Sequence, residues 1–131
     1  MKKQGVLNHR IVDVIAQMGH TDRLVLADAG LPVPLGVERI DVAIAPGLPK
    51  MLDVARAIAS ELKVEQLIVA TELSEKNAEF LSNLRELFPG VPIAEVPHEE
   101  FKAMTKEARA VVRTGECTPY ANVILCSGVI F

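Results

Sequence analysis

The sequence contains no tryptophan, a single tyrosine, four phenylalanines and two cysteines in 131 residues. With aromatic residues at only 4%, any core has to be assembled from aliphatic side chains. Cys117 and Cys126 have no histidine close by in sequence, so neither a disulfide framework nor a recognisable zinc spacing is present. Both are expected as buried, reduced thiols. No block of like charge occurs either, since 14 basic and 17 acidic side chains are interspersed and leave a formal net charge of -3. Nothing in that pattern tracks a phosphate backbone, which argues against nucleic acid as a partner. Long hydrophobic runs are also missing. The most apolar stretch, residues 123–131, is far shorter than the ~18 residues of a spanning helix and is interrupted by Ser127 and Gly128. Lys2 and Lys3 open the chain, but Asn8, His9, Arg10 and Asp13 occupy the place where the apolar segment of an export signal would follow. A soluble cytoplasmic protein is expected, with no membrane association.

Several chemistries lose their usual apparatus. There is no G-x-x-x-x-G-K-[ST] loop for nucleoside triphosphates and no G-x-G-x-x-G after the first strand; the G-L-P-K string at residues 47–50 is too short to serve. A G-x-S-x-G nucleophile elbow is absent, and the cysteines lack an obvious neighbouring base, so covalent acyl transfer has no support. Acid/base chemistry on a small polar molecule remains, without metal or cofactor.

What the chain has in excess is aliphatic surface. With glycine counted and tyrosine left out, about 55% of residues are apolar against a usual 45–50%. A parallel sheet covered on both faces consumes part of that excess, and contact with further copies of the chain would consume the rest. A homo-oligomer is therefore expected. The pattern alternates between short aliphatic runs and helical spacing. Asn8 caps a helix carrying Ile11, Val14, Ile15 and Met18, which Gly19 ends. Residues 24–27 form a buried strand that stops at Asp28 and a turn-forming cluster. Ile40, Val42 and Ile44 alternate as a second strand, followed by a helix on Met51, Val54, Ala55, Ile58 and Leu62. A third strand at 67–70 leads to a helix capped by Ser74, with Ala78, Leu81 and Leu84 on its face and an end at Phe88, Pro89 and Gly90. Strand 91–96, a short helix at 98–104, and strands at 110–113 and 123–131 complete the order. Such alternation predicts one α/β domain over residues 1–131, a three-layer fold with a central, mostly parallel sheet flanked by helices.

Four segments carry candidate chemistry. His20 lies just past the first helix, where it suits either the helix's C-terminal dipole or proton transfer. Asp28 sits at a strand's carboxyl end, the place where open α/β sheets hold ligands, though it can equally close its own turn. His98 stands at a helix start, where an exposed capping role is the plainer reading. Residues 114–122, T-G-E-C-T-P-Y-A-N, pack polar groups and the only tyrosine between two apolar strands, and are longer than a simple turn needs.

Two of these segments, G-H-T-D-R-L-V-L-A-D-A-G-L-P-V-P at 19–34 and R-T-G-E-C-T-P-Y-A-N-V-I-L at 113–125, resemble the ribose/fucose mutarotase family, its ribose pyranase branch in particular. The likeness runs over residues 2–131 and includes the opening K-K-x-G-x-L-N, the central I-D-V-A and P-G-x-P strings, and His98 before Glu99; residues 51–96 are less distinctive. The resemblance implies an intramolecular isomerase that interconverts the β-pyranose and β-furanose forms of D-ribose for a downstream kinase. It implies His20 as proton donor, with Asp28, His98, Tyr120, Asn122 and the Ala121 backbone around the sugar. It further implies a homodecamer with sites between neighbouring subunits. The residue types suit the task, because ring opening needs a proton at the ring oxygen and an ordinary imidazole, with a pKa near 6.5, both gives and recovers one near neutrality. Tyr120 and Asn122 supply donors and acceptors that match a polyol. Two other readings use the same residues: a ribose-binding or transport-accessory protein without catalysis, and a histidine phosphocarrier.

Overall fold

The computed structural model describes all of residues 1–131. Its strands are β1 (Arg23–Ala27), β2 (Glu38–Asp41), β3 (Val64–Ala70), β4 (Ile93–Val96), β5 (Ala110–Arg113) and β6 (Val123–Ser127). Its helices are α1 (His9–Gln17), α2 (Met51–Ala59), α3 (Thr71–Lys76), α4 (Ala78–Leu87) and α5 (His98–Met104), followed by a 3₁₀ turn over Thr105–Glu107. The strands form one six-stranded sheet in the order β2-β5-β1-β6-β3-β4. Strands β2, β5 and β1 pair in parallel, as do β3 and β4, and β6 runs antiparallel to both of its neighbours, β1 and β3. Five strands therefore point one way and β6 the other, in accord with the expected mostly parallel α/β sheet.

Alternation along each strand sends side chains to two cores. On one face Leu24, Leu26, Leu67, Val69, Val112 and Leu125 pack with Ile11 and Val14 of α1, Met51, Ala55 and Ile58 of α2, and Leu81 and Leu84 of α4. On the other, Val25, Ile68, Val111 and Ile124 pack with Leu31 and with Phe101 of α5. The layers are unequal, with one short helix on the second face. Phe101 is fully enclosed there, and burying a phenylalanine contributes on the order of 1.5–3 kcal/mol.

The ends of several elements differ from expectation, each for a local reason. Helix α1 ends at Gln17 before reaching Gly19, with Met18 already extended; the left-handed residue of the following turn is Thr21, at φ 70°. Strand β2 stops at Asp41 and does not continue through Val42 and Ile44, because the Asp41 carboxylate accepts the Ala43 N–H (3.0 Å) and turns the chain out. Ser74 caps nothing. It lies inside α3 and donates to the Thr71 carbonyl at 2.9 Å, while α4 starts after Asn77. Strand β6 ends at Ser127, after which the Gly128 N–H turns to the Lys63 carbonyl (2.8 Å) and leaves Ile130 and Phe131 exposed. The two thiols also differ: Cys126 is buried, and that burial pushes its pKa up, whereas Cys117 is exposed on the loop.

Candidate active site

Because β1, β3, β4 and β5 are all parallel, their carboxyl ends lie along one edge of the sheet, and the amino end of β6 joins them there. Residues reaching that edge are Asp28 after β1, the 114–122 loop after β5, His98 after β4 and Asn122 before β6. The loop is long for a topological reason. Strand β1 lies between β5 and β6, so the connection has to cross the carboxyl end of β1, directly above Asp28. The chain pins it there through the Thr114 N–H and hydroxyl on the Ala27 carbonyl (2.9 and 2.8 Å), and through the Ala29 N–H on the Glu116 carbonyl (2.8 Å).

Asp28 and Asn122 are bound to each other twice. The Asp28 N–H donates to Asn122 Oδ1 (2.8 Å), and Asn122 Nδ2 donates to Asp28 Oδ2 (2.9 Å). The other carboxylate oxygen, Oδ1, accepts the N–H groups of Gly30 (2.9 Å) and Leu31 (2.8 Å). Asp28 thus closes its own turn, and the same residue lines a cleft. Tyr120 adopts φ 54°, a left-handed conformation uncommon for an aromatic residue. The Asn122 N–H donates to the Tyr120 carbonyl (2.8 Å), closing a tight turn around the buried Ala121. The His98 ring meets Tyr120 edge-on at 5.0 Å and stacks on Phe101 at 6.3 Å. His98 Nδ1 is buried without a hydrogen-bond partner, so Nε2 is the ring nitrogen accessible to a ligand. The His98 backbone is tethered as well, its N–H donating to the Glu72 carboxylate at 3.0 and 3.3 Å.

Asp28, His98, Tyr120 and Asn122 line one cleft of ≈ 510 Å³, together with Gly30, Leu31, Pro32, Lys102 and Pro119. Asp28, His98, Lys102, Tyr120 and Asn122 bring hydrogen-bonding groups to that lining, which suits a hydroxylated ligand. Lys102 escaped the sequence reading; it lies four residues after His98, one helical turn along α5, and that spacing was the available signal. Its ammonium pairs with Glu99 (2.7 Å). No group of three or more His, Cys, Asp or Glu side chains converges as a metal site.

His20 lies elsewhere. It precedes β1, whereas Asp28 follows it, and five strand residues at about 3.3 Å each separate the two by roughly 17 Å. The His20 ring is half exposed and meets Glu65, with Nε2 at 3.0 and 3.1 Å from the two carboxylate oxygens. Its turn is closed by Asp22 Oδ2, which accepts the Gly19 N–H (2.8 Å) and pairs with Arg109 (3.0 Å). The Gly19 N–H foremost, then Arg109, holds the Asp22 carboxyl below the usual carboxylate range. Within one chain, therefore, His20 and the cleft occupy opposite ends of the sheet.

The chain is 56% identical to the D-ribose pyranase of Coprothermobacter proteolyticus and 51% identical to that of Bacillus subtilis, in each case over 131 residues and the whole of both chains. The structure of Bacillus subtilis RbsD complexed with D-ribose superposes with a TM-score of 0.96 at 51% identity, covering 100% of both chains. A fucose mutarotase of Streptococcus pneumoniae, in complex with L-fucose, shares the fold at a TM-score of 0.79 and 24% identity over 95% of each chain. The model of the RbsD / FucU transport protein family matches residues 1–130, and a match of that extent, joined to full-length relatives at half identity, makes this chain a member of that family.

Proposed function

We propose that the chain is an isomerase that interconverts the β-pyranose and β-furanose forms of D-ribose and supplies the sugar for phosphorylation. The observation that carries the reading is the cleft in which the doubly bonded Asp28–Asn122 pair meets His98 and Tyr120, in a chain that superposes on a ribose-bound relative over its full length. Asp28, His98, Tyr120, Asn122 and the Ala121 backbone bind the sugar, and His20 donates the proton. Since His20 and the cleft lie at opposite ends of β1, the working site takes His20 from a neighbouring copy. That arrangement supports a closed homo-oligomer, a decamer by likeness to the family, in the cytoplasm. The exposed Leu7, Leu35, Ile44 and Leu48 offer apolar surface for its contacts.

The reaction proceeds by proton transfers. The His20 imidazolium gives a proton to the pyranose ring oxygen as the C1–O5 bond breaks and its electron pair moves to that oxygen. The anomeric hydroxyl loses its proton to water, leaving the C1 aldehyde. Rotation then brings the 4-hydroxyl to C1; the C1–O4 bond forms, the 4-hydroxyl proton returns to His20, and the carbonyl oxygen takes a proton from water. No hydride, electron or acyl group is transferred. Ring opening already proceeds in water, so general acid/base assistance of about 10²–10⁴, or about 3–5 kcal/mol, is sufficient.

Saturation-transfer proton NMR of the ribose anomeric resonances tests the reading. Catalytic amounts of protein are expected to accelerate pyranose–furanose exchange. A protein that binds ribose and leaves exchange unchanged is a carrier, and that result overturns the assignment.

A further inference from the structure

We propose that Glu65 is a positioning residue for His20, fixing the proton of the imidazole on Nε2 and thereby making Nδ1 the nitrogen that exchanges a proton with the sugar. The inference rests on the reading of His20 as the proton donor.

Asp28 cannot orient His20 within one chain, because it lies at the far end of β1 and its carboxylate is engaged by Gly30, Leu31 and Asn122. Glu65 is placed to do so. It is the second residue of β3, and its two oxygens lie 3.0 and 3.1 Å from His20 Nε2. No other side chain bonds Glu65; Arg23, at the start of β1, pairs with Glu107 at 3.0 Å. His20 lies on the turn before β1 and Glu65 on β3, two strands that do not touch. Between β1 and β3 runs β6, and the end of β6 holds both. The Thr21 N–H, next to His20, donates to the Ser127 carbonyl (2.9 Å), and the Gly128 N–H donates to the carbonyl of Lys63, two residues before Glu65 (2.8 Å). A Cβ at Gly128 would lie 3.0 Å from Glu65 Cβ and 3.3 Å from Oε2, so a side chain there would crowd the carboxylate.

An ionised carboxylate only accepts hydrogen bonds, so the nitrogen facing it carries the hydrogen. In the neutral ring Nδ1 is then the acceptor, and in the imidazolium it bears the second proton. Each half of the reaction uses that atom: the Nδ1–H bond breaks when the ring oxygen is protonated and re-forms when the 4-hydroxyl closes on C1. A ring free to turn would present Nε2 and Nδ1 at random. Both side chains are half exposed, and surface ion pairs of this kind contribute little to stability, so Glu65 is replaceable without loss of the fold.

The test is a double-mutant cycle on the assembled protein, with exchange rates from saturation-transfer NMR at saturating ribose and affinity from calorimetry. Glu65→Ala is expected to lower the exchange rate about ten- to a hundredfold, the scale of loss when the partner that orients a metal-bound imidazole is removed, with ribose affinity unchanged. Glu65→Gln, whose carbonyl accepts the same N–H, should keep most of the rate. In a His20→Ala background, Glu65→Ala should cost nothing further, because a residue acting through His20 has nothing left to act on. A wild-type rate in Glu65→Ala, or an equal loss in both backgrounds, overturns the proposal. A loss in Glu65→Gln as deep as in Glu65→Ala overturns the hydrogen-bond account. If wild-type protein does not accelerate exchange, or His20→Ala still does, the underlying reading of the site fails first, and the proposal with it.

Discussion

His20 sits beyond α1 on an exposed turn and contributes nothing to either core, so His20→Ala is expected to fold normally. It should keep measurable ribose affinity and lose the acceleration of exchange, the pattern of lost transition-state stabilisation. Saturation-transfer rates and titration calorimetry, measured separately, check this. The turn that carries His20 has its own pH dependence. Asp22 is held below its ordinary value, first by the Gly19 N–H and then by Arg109. Its contribution is therefore complete above the ordinary aspartate value near 3.9 and is lost as the pH falls through the lowered folded value. Asp22→Asn should be less stable than wild type at pH 7, and the gap should narrow toward pH 3 and below in urea unfolding. A gap that stays constant across that range would contradict the role assigned to Asp22.

At the scale of elements, the proposed site depends on how the 114–122 loop is tied to helices that do not line the cleft. Glu116 is buried, and its carboxylate accepts the Met51 N–H at the start of α2 (3.2 Å) together with the Thr118 N–H (3.2 Å) and hydroxyl (3.0 Å). Lys50, the residue preceding α2, gives no side-chain cap, so Glu116 serves that end from a distance. Asn77, between α3 and α4, donates to Thr118 Oγ1 (2.9 Å) and the Pro119 carbonyl (3.0 Å). Glu116→Ala strands these donors and is expected to destabilise the fold by about 1–3 kcal/mol, seen as a lowered urea midpoint. It should also weaken ribose binding, because Tyr120 and Asn122 stand on the loosened loop. In this respect the sequence reading was half right: it marked the loop as more than a turn, but it could not see that the length serves a crossing over β1.

For the whole molecule, the proposed site, with His20 apart from the cleft, requires assembly for activity. Light scattering at micromolar concentration should report a mass many times 14.2 kDa. Mixing subunits gives the sharper check. His20→Ala and Asn122→Ala proteins are each expected to be impaired alone, yet co-assembled from an equal mixture they should form some sites that take His20 from one copy and Asn122 from the other. Random mixing puts that at about one site in four. Activity recovered only after joint refolding or co-expression supports the shared site; a monomer with full activity, or no recovery in a mixed assembly, would rule it out.

Local patterns along the chain set the alternation of strand and helix and the aliphatic character of the interior, because periodicity, capping and turn chemistry are written over a few positions. The start of α1 at Asn8, whose side chain accepts the Arg10 and Ile11 N–H groups, and the full span of α5 were legible in this way. Tertiary structure decided the rest. Strand order depends on pairings between residues up to about a hundred positions apart, such as Arg23 with Cys126, and no local pattern encodes them. That order inserts β1 between β5 and β6, brings Asn122 onto Asp28, and sends His20 to the opposite end beside Glu65. Neither the Asp28–Asn122 pair nor the His20–Glu65 pair has a sequence signature, since the partners lie 94 and 45 residues apart and meet only because the sheet closes around β6.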